Sequence, residues 1–183
     1  RYTEHLNHVF QTSVRGLWLP ERVWEQSFAG DIAAAGLHYT MVDDYHFRCA
    51  GIPQNELMGY YSTEDEGRIL FMFPDSERLR YLIPFANPED CITYLHEIAN
   101  TYENPVIVFG DDGEKFGSWP ETWENIIQKG WFEEFFAGIE ASRDWLETMT
   151  FSQFMASHPP SGRVYLPTGS YPEMLRWSLP TRV

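Results

Sequence analysis

The chain has 183 residues, enough for one ordinary domain with a substantial core. A formal net charge of -14 at pH 7 argues against a nucleic-acid backbone or an anionic membrane surface as partner. No apolar run approaches the roughly 18 residues that cross a bilayer, and no basic-then-apolar leader opens the sequence. Cys49 and Cys91 have neither metal-ligand nor redox spacing and read as reduced thiols, which suits a cytoplasmic protein.

In chain order, the segment before Gly16 reads as the tail of a helix, followed by a loop and a first strand. That strand runs through Leu17-Trp18-Leu19-Pro20 into Glu21-Arg22. Between Arg22 and Ala35 the apolar residues Val23, Phe28, Ile32 and Ala35 recur at helical spacing, and Gly36 closes the pattern. A strand over 38–42 follows and ends in Asp43-Asp44. The β-α-β succession implies a parallel pair with a right-handed crossover. Residues 45–67, with Gly51, Pro53, Gly59 and the acidic turn Glu64-Asp65-Glu66-Gly67, read as a long loop.

Strand patterning returns over 69–73, and Tyr81-Leu82-Ile83 reads as a short extended piece. Asn87 as N-cap, Pro88 at the first helical position, and Glu89 and Asp90 in the first turn announce a helix. Its core positions are Ile92, Leu95, Ile98 and Ala99. A strand over 106–109 then runs into Gly110-Asp111-Asp112-Gly113-Glu114-Lys115-Phe116-Gly117-Ser118-Trp119. Helices are predicted over 121–128, 131–141 and 151–156. After the break at Pro159-Pro160-Ser161-Gly162, Val164-Tyr165-Leu166 reads as a strand leading to Thr168-Gly169-Ser170-Tyr171. Alternating strands and helices predict an α/β fold, doubly wound or barrel. Arg1 in place of an initiator Met, and a new element opening at Thr181-Arg182-Val183, suggest a piece of a longer polypeptide.

Three apolar runs therefore end in acids, at Glu21, at Asp43-Asp44 and at Asp111-Asp112. Strand carboxyl ends are where parallel α/β sheets display catalytic groups, so one acidic cleft is expected. Two facing carboxylates, Glu21 and Asp112, would suit glycosidic bond cleavage, one protonating the leaving oxygen while the other attacks the anomeric carbon. The charge on one would keep its neighbour protonated near neutral pH. Trp18 and Trp24 near Glu21, and Trp119 after Asp112, offer flat apolar faces for a sugar ring.

Other readings of these residues stay open. The acids could be solvated caps on helix N-termini, and the Trp side chains could be packing. Asp43, Asp44, His46, Asp111 and Asp112 could hold a cation, although 111–124 lacks calcium-loop spacing. His46 is expected to hydrogen-bond substrate or Asp44, whereas His38, His96 and His158 read as structural or solvated. Glu114 and Lys115 read as a salt-bridged brace of their loop. Phe71, Phe73, Phe135 and Phe136 are expected in the core.

Taken together, five stretches resemble glycoside hydrolase family 57, in its 4-α-glucanotransferase and α-amylase branch. They are Trp18-Leu19-Pro20-Glu21-Arg22-Val23-Trp24, Val42-Asp43-Asp44-Tyr45-His46-Phe47, Arg80-Tyr81-Leu82-Ile83-Pro84-Phe85, Asp111 through Pro120, and Ser170-Tyr171-Pro172-Glu173-Met174 with Trp177-Ser178-Leu179-Pro180. The likeness runs in order from about residue 16 to residue 180. It implies a retaining enzyme of starch and glycogen metabolism, acting on α-1,4-glucan or maltooligosaccharide with neither metal nor cofactor in catalysis. The implied fold is an incomplete (β/α)7 barrel lacking its N- and C-terminal strands, with a helical segment at about 121–158.

By motif position, Glu21 matches the family nucleophile and Asp112 the acid/base. Trp18, Arg22 and Trp119 fall where sugar subsites are lined, and Asp44 and His46 are added as substrate-binding residues. The family's paired-histidine strand with its Gln-Pro motif is absent, as is a later segment bearing an Asp and a His of the substrate site. Gly110 stands where relatives often carry His. Open sheet edges would leave the isolated chain inactive and poorly soluble unless missing segments, or a second copy in a homo-oligomer, cover them. A non-catalytic carbohydrate-binding scaffold and a metal-dependent polysaccharide deacetylase are the alternatives.

Overall fold

The computed structural model describes residues 2–179. The element expected at 181–183 lies outside the described residues, as do Arg1 and Pro180. The chain divides into two compact units, the first formed by residues up to 74 together with those from 160 onward, the second by residues 75–159.

The first unit is α/β. It contains α1 (Tyr2–Phe10), β1 (Gly16–Trp18), α2 (Phe28–Ala34), β2 (Tyr39–Asp43), α3 (Asp44–Cys49), β3 (Tyr61–Asp65), β4 (Arg68–Asp75, whose last residue belongs to the second unit), β5 (Gly162–Arg163) and α8 (Pro172–Trp177). The sheet order is β1-β2-β4-β3-β5. The expected β-α-β unit forms: β1 and β2 pair in parallel, Gly16 opposite Tyr39 and Trp18 opposite Met41. β3 also pairs in parallel with β5. β3 and β4, however, form an antiparallel hairpin from Tyr61↔Met72 to Asp65↔Arg68, so the sheet is mixed rather than all parallel. Glu66 and Gly67, both at positive φ (49° and 76°), supply the two-residue turn that closes a right-twisted hairpin.

That hairpin corrects the reading of 45–67 as loop. Asp43 caps α3 by accepting the Tyr45 N–H at 3.0 Å. β3 reads Tyr-Ser-Thr-Glu-Asp, so composition hides a strand that its neighbours on both sides impose. The helix expected from Arg22 is likewise shorter, because Trp24 pairs with Gly169 in an antiparallel bridge instead. The last strand lies at Gly162–Arg163 rather than 164–166, although the Val164 N–H still donates to Ser62 at 2.9 Å. Trp24, Val42, Phe47, Leu70 and Met72, all fully or almost fully buried, form the core with Val164 and Leu166.

The second unit is mostly helical: α4 (Glu77–Leu82), α5 (Pro88–Thr101), α6 (Trp131–Ala141) and α7 (Phe151–Ser157). Asn87 stands at the N-cap position of α5 and Pro88 opens the helix, as the sequence predicts, but the Asn87 side chain makes no cap hydrogen bond and donates to Asp90 at 3.3 Å instead. Of Tyr81-Leu82-Ile83, the first two are helical and only Ile83 is extended. Ser76 accepts the Leu79 N–H at 3.2 Å and starts α4, which delivers Leu79 and Ile83 to the core. The strand expected over 106–109 reduces to a single parallel bridge between Val108 and Asp75. Residues 124–128 form a π-helical turn. Leu79, Ile83, Cys91, Tyr94, Leu95, Ile126 and Trp131 are the buried core. Burial pushes the Cys91 thiol up to about 11, which suits an inert packed cysteine.

Of the Phe residues expected inside, Phe73 is fully buried and Phe71 and Phe135 are half-buried. Phe136 is 58% exposed, one residue round the helix from Phe135, which stacks on Trp131. No helix among the described residues is long and apolar enough to cross a membrane.

Candidate active site

In the first unit, β1 leads through Leu19 into a tight 3-10 turn over Pro20–Arg22. Glu21 (φ 52°, ψ 15°) and Arg22 (φ 47°) both take the left-handed conformation that ordinary residues adopt rarely and at a cost. Of the two side chains, Glu21 is exposed and Arg22 is buried. The loop at 169–171 clasps it. Trp24 and Gly169 exchange two backbone hydrogen bonds, of 2.8 and 3.1 Å. The Ser170 hydroxyl donates to the Glu21 carbonyl, and the Tyr171 hydroxyl to Oε2 of its carboxylate, each at 2.5 Å. The Arg22 guanidinium lies 4.3 Å from the Tyr171 ring centre and 5.5 Å from that of Trp18. Trp18 is 37% exposed, leaving part of its face available.

Of the three indoles beside the acids, Trp24 takes the packing alternative. It is fully buried, edge-on to Phe28, and therefore a core residue. Tyr171 is the reverse case. Its stretch belongs to the quoted motifs, yet nothing local in the sequence ties it to a glutamate 150 residues away. Burial raises the Tyr171 phenol above its ordinary value and the Glu21 carboxylate adds to this, against Arg22, so it remains the proton donor of the pair.

Asp44 and His46 sit on α3. Asp44 is buried and pairs with Arg48 at 3.0 Å. His46 turns away from it: its Nδ1 lies 3.1 Å from the Asp43 carbonyl. Burial lowers the His46 pKa, opposed by Asp43 and by the backbone of Gly169 and Arg22. The ring is thus a packed neighbour of the Glu21 turn. A histidine kept neutral by burial makes folding weaker as the unfolded chain takes up protons below about pH 6.5. Stability from this residue is complete above that value and declines as pH falls through it. Denaturant midpoints at about pH 7.5 and about pH 5.5 should therefore converge in His46→Gln relative to the parent.

In the second unit, Asp111 and Asp112 follow Val108 and precede a 3-10 turn over Gly113–Phe116. Asp111 is held by Lys115, Nζ to Oδ2 2.5 Å, with both side chains almost wholly buried. The same ammonium donates to the Arg80 carbonyl and lies 5.2 and 5.9 Å from the ring centres of Phe85 and Trp119, which are stacked at 18°. Burial lowers the Lys115 pKa, while Asp111 opposes that shift. Asp111 in turn accepts the Asp112 N–H at 3.0 Å. Lys115 thus braces the loop as expected, whereas Glu114 is exposed. The Gly110 N–H donates to Asp75 at 2.8 Å, and Asp75 also lies 3.9 Å from Arg80. The result is a half-buried Asp112 on a rigid base, with Trp119 40% exposed seven residues on.

Chemically, the first unit presents an ionisable carboxylate with one oxygen hydrogen-bonded beside a partly open indole. The second presents a carboxyl group on a braced loop beside another. Among the described residues no three His, Cys, Asp or Glu side chains converge as metal ligands. Asp44 and Asp111 are committed to Arg48 and Lys115.

The family model of glycosyl hydrolase family 57 matches residues 1–167. An α-amylase of Pyrococcus horikoshii is 48% identical over 168 residues, which are 92% of this chain and 26% of that protein. A 4-α-glucanotransferase of Thermococcus kodakarensis is 47% identical over 168 residues, again 92% of this chain and 26% of its own length. The crystal structure of the 4-α-glucanotransferase from Thermococcus litoralis superposes with a TM-score of 0.93 at 42% identity, covering 99% of this chain and 28% of that one. The chain therefore spans about a quarter of the length of these relatives.

Proposed function

The chain belongs to glycosyl hydrolase family 57, and from that premise we propose that it is the central part of a catalytic domain that cleaves and transfers α-1,4-glucosyl chains with retention. The domain is an incomplete (β/α)7 barrel completed by segments outside this chain. Glu21 is the nucleophile and Asp112 the acid/base. Asp112 protonates the departing glycosidic oxygen as Glu21 attacks the anomeric carbon. It then takes a proton from water or a sugar hydroxyl as that oxygen displaces Glu21. Trp18 and Trp119 offer apolar faces to the sugar rings, and Arg22, Asp44 and His46 hold the surrounding site.

The observation that carries this reading is the Glu21 turn, a strained, exposed carboxylate beside an open indole. Such strain persists only where surrounding contacts impose it, and those contacts are the Ser170 hydroxyl on the Glu21 carbonyl and the bridge between Trp24 and Gly169. The substrate class follows the relatives, named α-amylase and 4-α-glucanotransferase. The 183-residue chain by itself is inactive, a cytoplasmic enzyme's catalytic piece without its full complement of strands.

Incubating the full-length polypeptide with maltotriose tests this. Oligomers longer than the substrate are expected if a sugar hydroxyl accepts the glucosyl chain, and glucose with maltose alone if water does. Products released initially in the β configuration, or no products at all, would contradict the proposal.

A further inference from the structure

Two consecutive residues clasp Glu21 from across the chain. Ser170 binds its main-chain carbonyl and Tyr171 its side chain. Tyr171 is 6% exposed, packed edge-on to Trp177 and face-on to the Arg22 guanidinium. Its loop is fixed by the bridge between Gly169 and Trp24, a fully buried residue. Ser170 and the backbone bridge already secure the turn, so the Tyr171 hydroxyl adds something else: it fixes the orientation of an exposed carboxylate whose rotamer would otherwise be free.

We infer that Tyr171 is a positioning residue for the reaction on Glu21, pinning Oε2 so that Oε1 is left to meet the anomeric carbon. This rests on the reading of Glu21 as the nucleophile. In the first step the bond from Oε1 to the anomeric carbon forms, the glycosidic bond breaks, and its electron pair leaves on an oxygen that takes the Asp112 proton. Glu21 loses its charge in the ester, so the Tyr171 hydrogen bond weakens. In the second step the acceptor oxygen bonds to the anomeric carbon, the ester bond breaks, and the carboxylate regains the Tyr171 hydrogen bond. Tyr171 therefore favours departure of the enzyme carboxylate and restores the ionised resting state. The other groups acting on the pair are Arg22, on the same turn, and His46 from α3, which meets the backbone of Arg22 and Gly169.

The test is Tyr171→Phe in the full-length polypeptide, which keeps the ring over Arg22 and removes one hydroxyl. The carboxyl-carbon resonance of Glu21, isotope-labelled and assigned by its loss in Glu21→Gln, is expected to move at fixed pH as its hydrogen bond is lost. kcat should fall about tenfold or more, with KM little changed. In a separate arm needing no turnover, Glu21→Gln should lower the pH at which the Tyr171 phenol ionises, by linkage. An unmoved Glu21 resonance overturns the inference, and so does a moved resonance with an unchanged kcat. Should Tyr171→Phe unfold, the Glu21→Gln arm decides: an unshifted phenol overturns the pairing. Absence of glucan turnover in the parent, with the Glu21 resonance and the Tyr171 phenol both shifted as expected, would instead sink the functional reading and leave the pairing standing.

Discussion

Glu21→Gln in the full-length polypeptide is expected to lower α-glucan turnover by roughly ten-thousandfold or more. The amide is isosteric and still accepts the Tyr171 hydrogen bond, so the turn should survive, but it cannot form a glycosyl ester. Loss of folding is separated from loss of chemistry by Glu21→Ala with added azide. On an α-glucosyl fluoride donor, azide would enter the vacated space, bond to the anomeric carbon and expel fluoride, giving the inverted β-azide. Asp112→Asn should be almost as damaging on maltooligosaccharides, whose leaving oxygen needs a proton. On the fluoride it should be milder, because fluoride departs without one. Full turnover in either variant, or an azide product of unchanged configuration, would dismiss the assignment of roles.

Lys115→Met should be the most destabilising substitution near the second carboxylate. The Lys115 and Asp111 side chains are about 3% and 4% exposed, and the ammonium also serves the Arg80 carbonyl. Removing one partner leaves a buried carboxylate uncompensated, a change worth about 3–5 kcal/mol. Met retains most of the stem that packs against Phe85 and Trp119, so the loss is chiefly electrostatic. Adding Asp111→Asn should recover part of it, because a neutral amide is far cheaper to bury. Denaturant unfolding of the single and double variants measures both effects. Equal stability of Lys115→Met and parent would mean that the pair contributes nothing. Because Asp111 also accepts the Asp112 N–H, turnover should fall along with stability.

The fold around Glu21 is legible in the amino-acid sequence in outline. A strand ending in Glu21, a crossover helix and a strand ending in Asp43-Asp44 are local patterns, and β1 and β2 pair as those patterns require. The helix opened by Asn87 and Pro88 is legible for the same reason: its caps lie within a few residues of what they cap. Motif order along the chain carried the family, since long unusual stretches agreeing in sequence seldom arise separately.

Elements whose stability comes from distant partners were misread. β3 is polar after Tyr61 and becomes a strand because β4 and β5 supply its hydrogen bonds. Residues 106–109 are strongly β-like, yet only Val108 finds a partner. Tyr81-Leu82-Ile83 looks extended until Ser76 caps the turn before it. One contact accounts for both Trp24 and Tyr171: the bridge to Gly169 buries the first and delivers the second to Glu21.

The chain's own order thus determined which acids and indoles could matter, because strand-end position and motif spacing are local properties. Tertiary structure alone decided what each one touches. A hydrogen bond such as Tyr171 to Glu21 depends on the meeting of two segments that are remote along the backbone, and only packing brings such segments together.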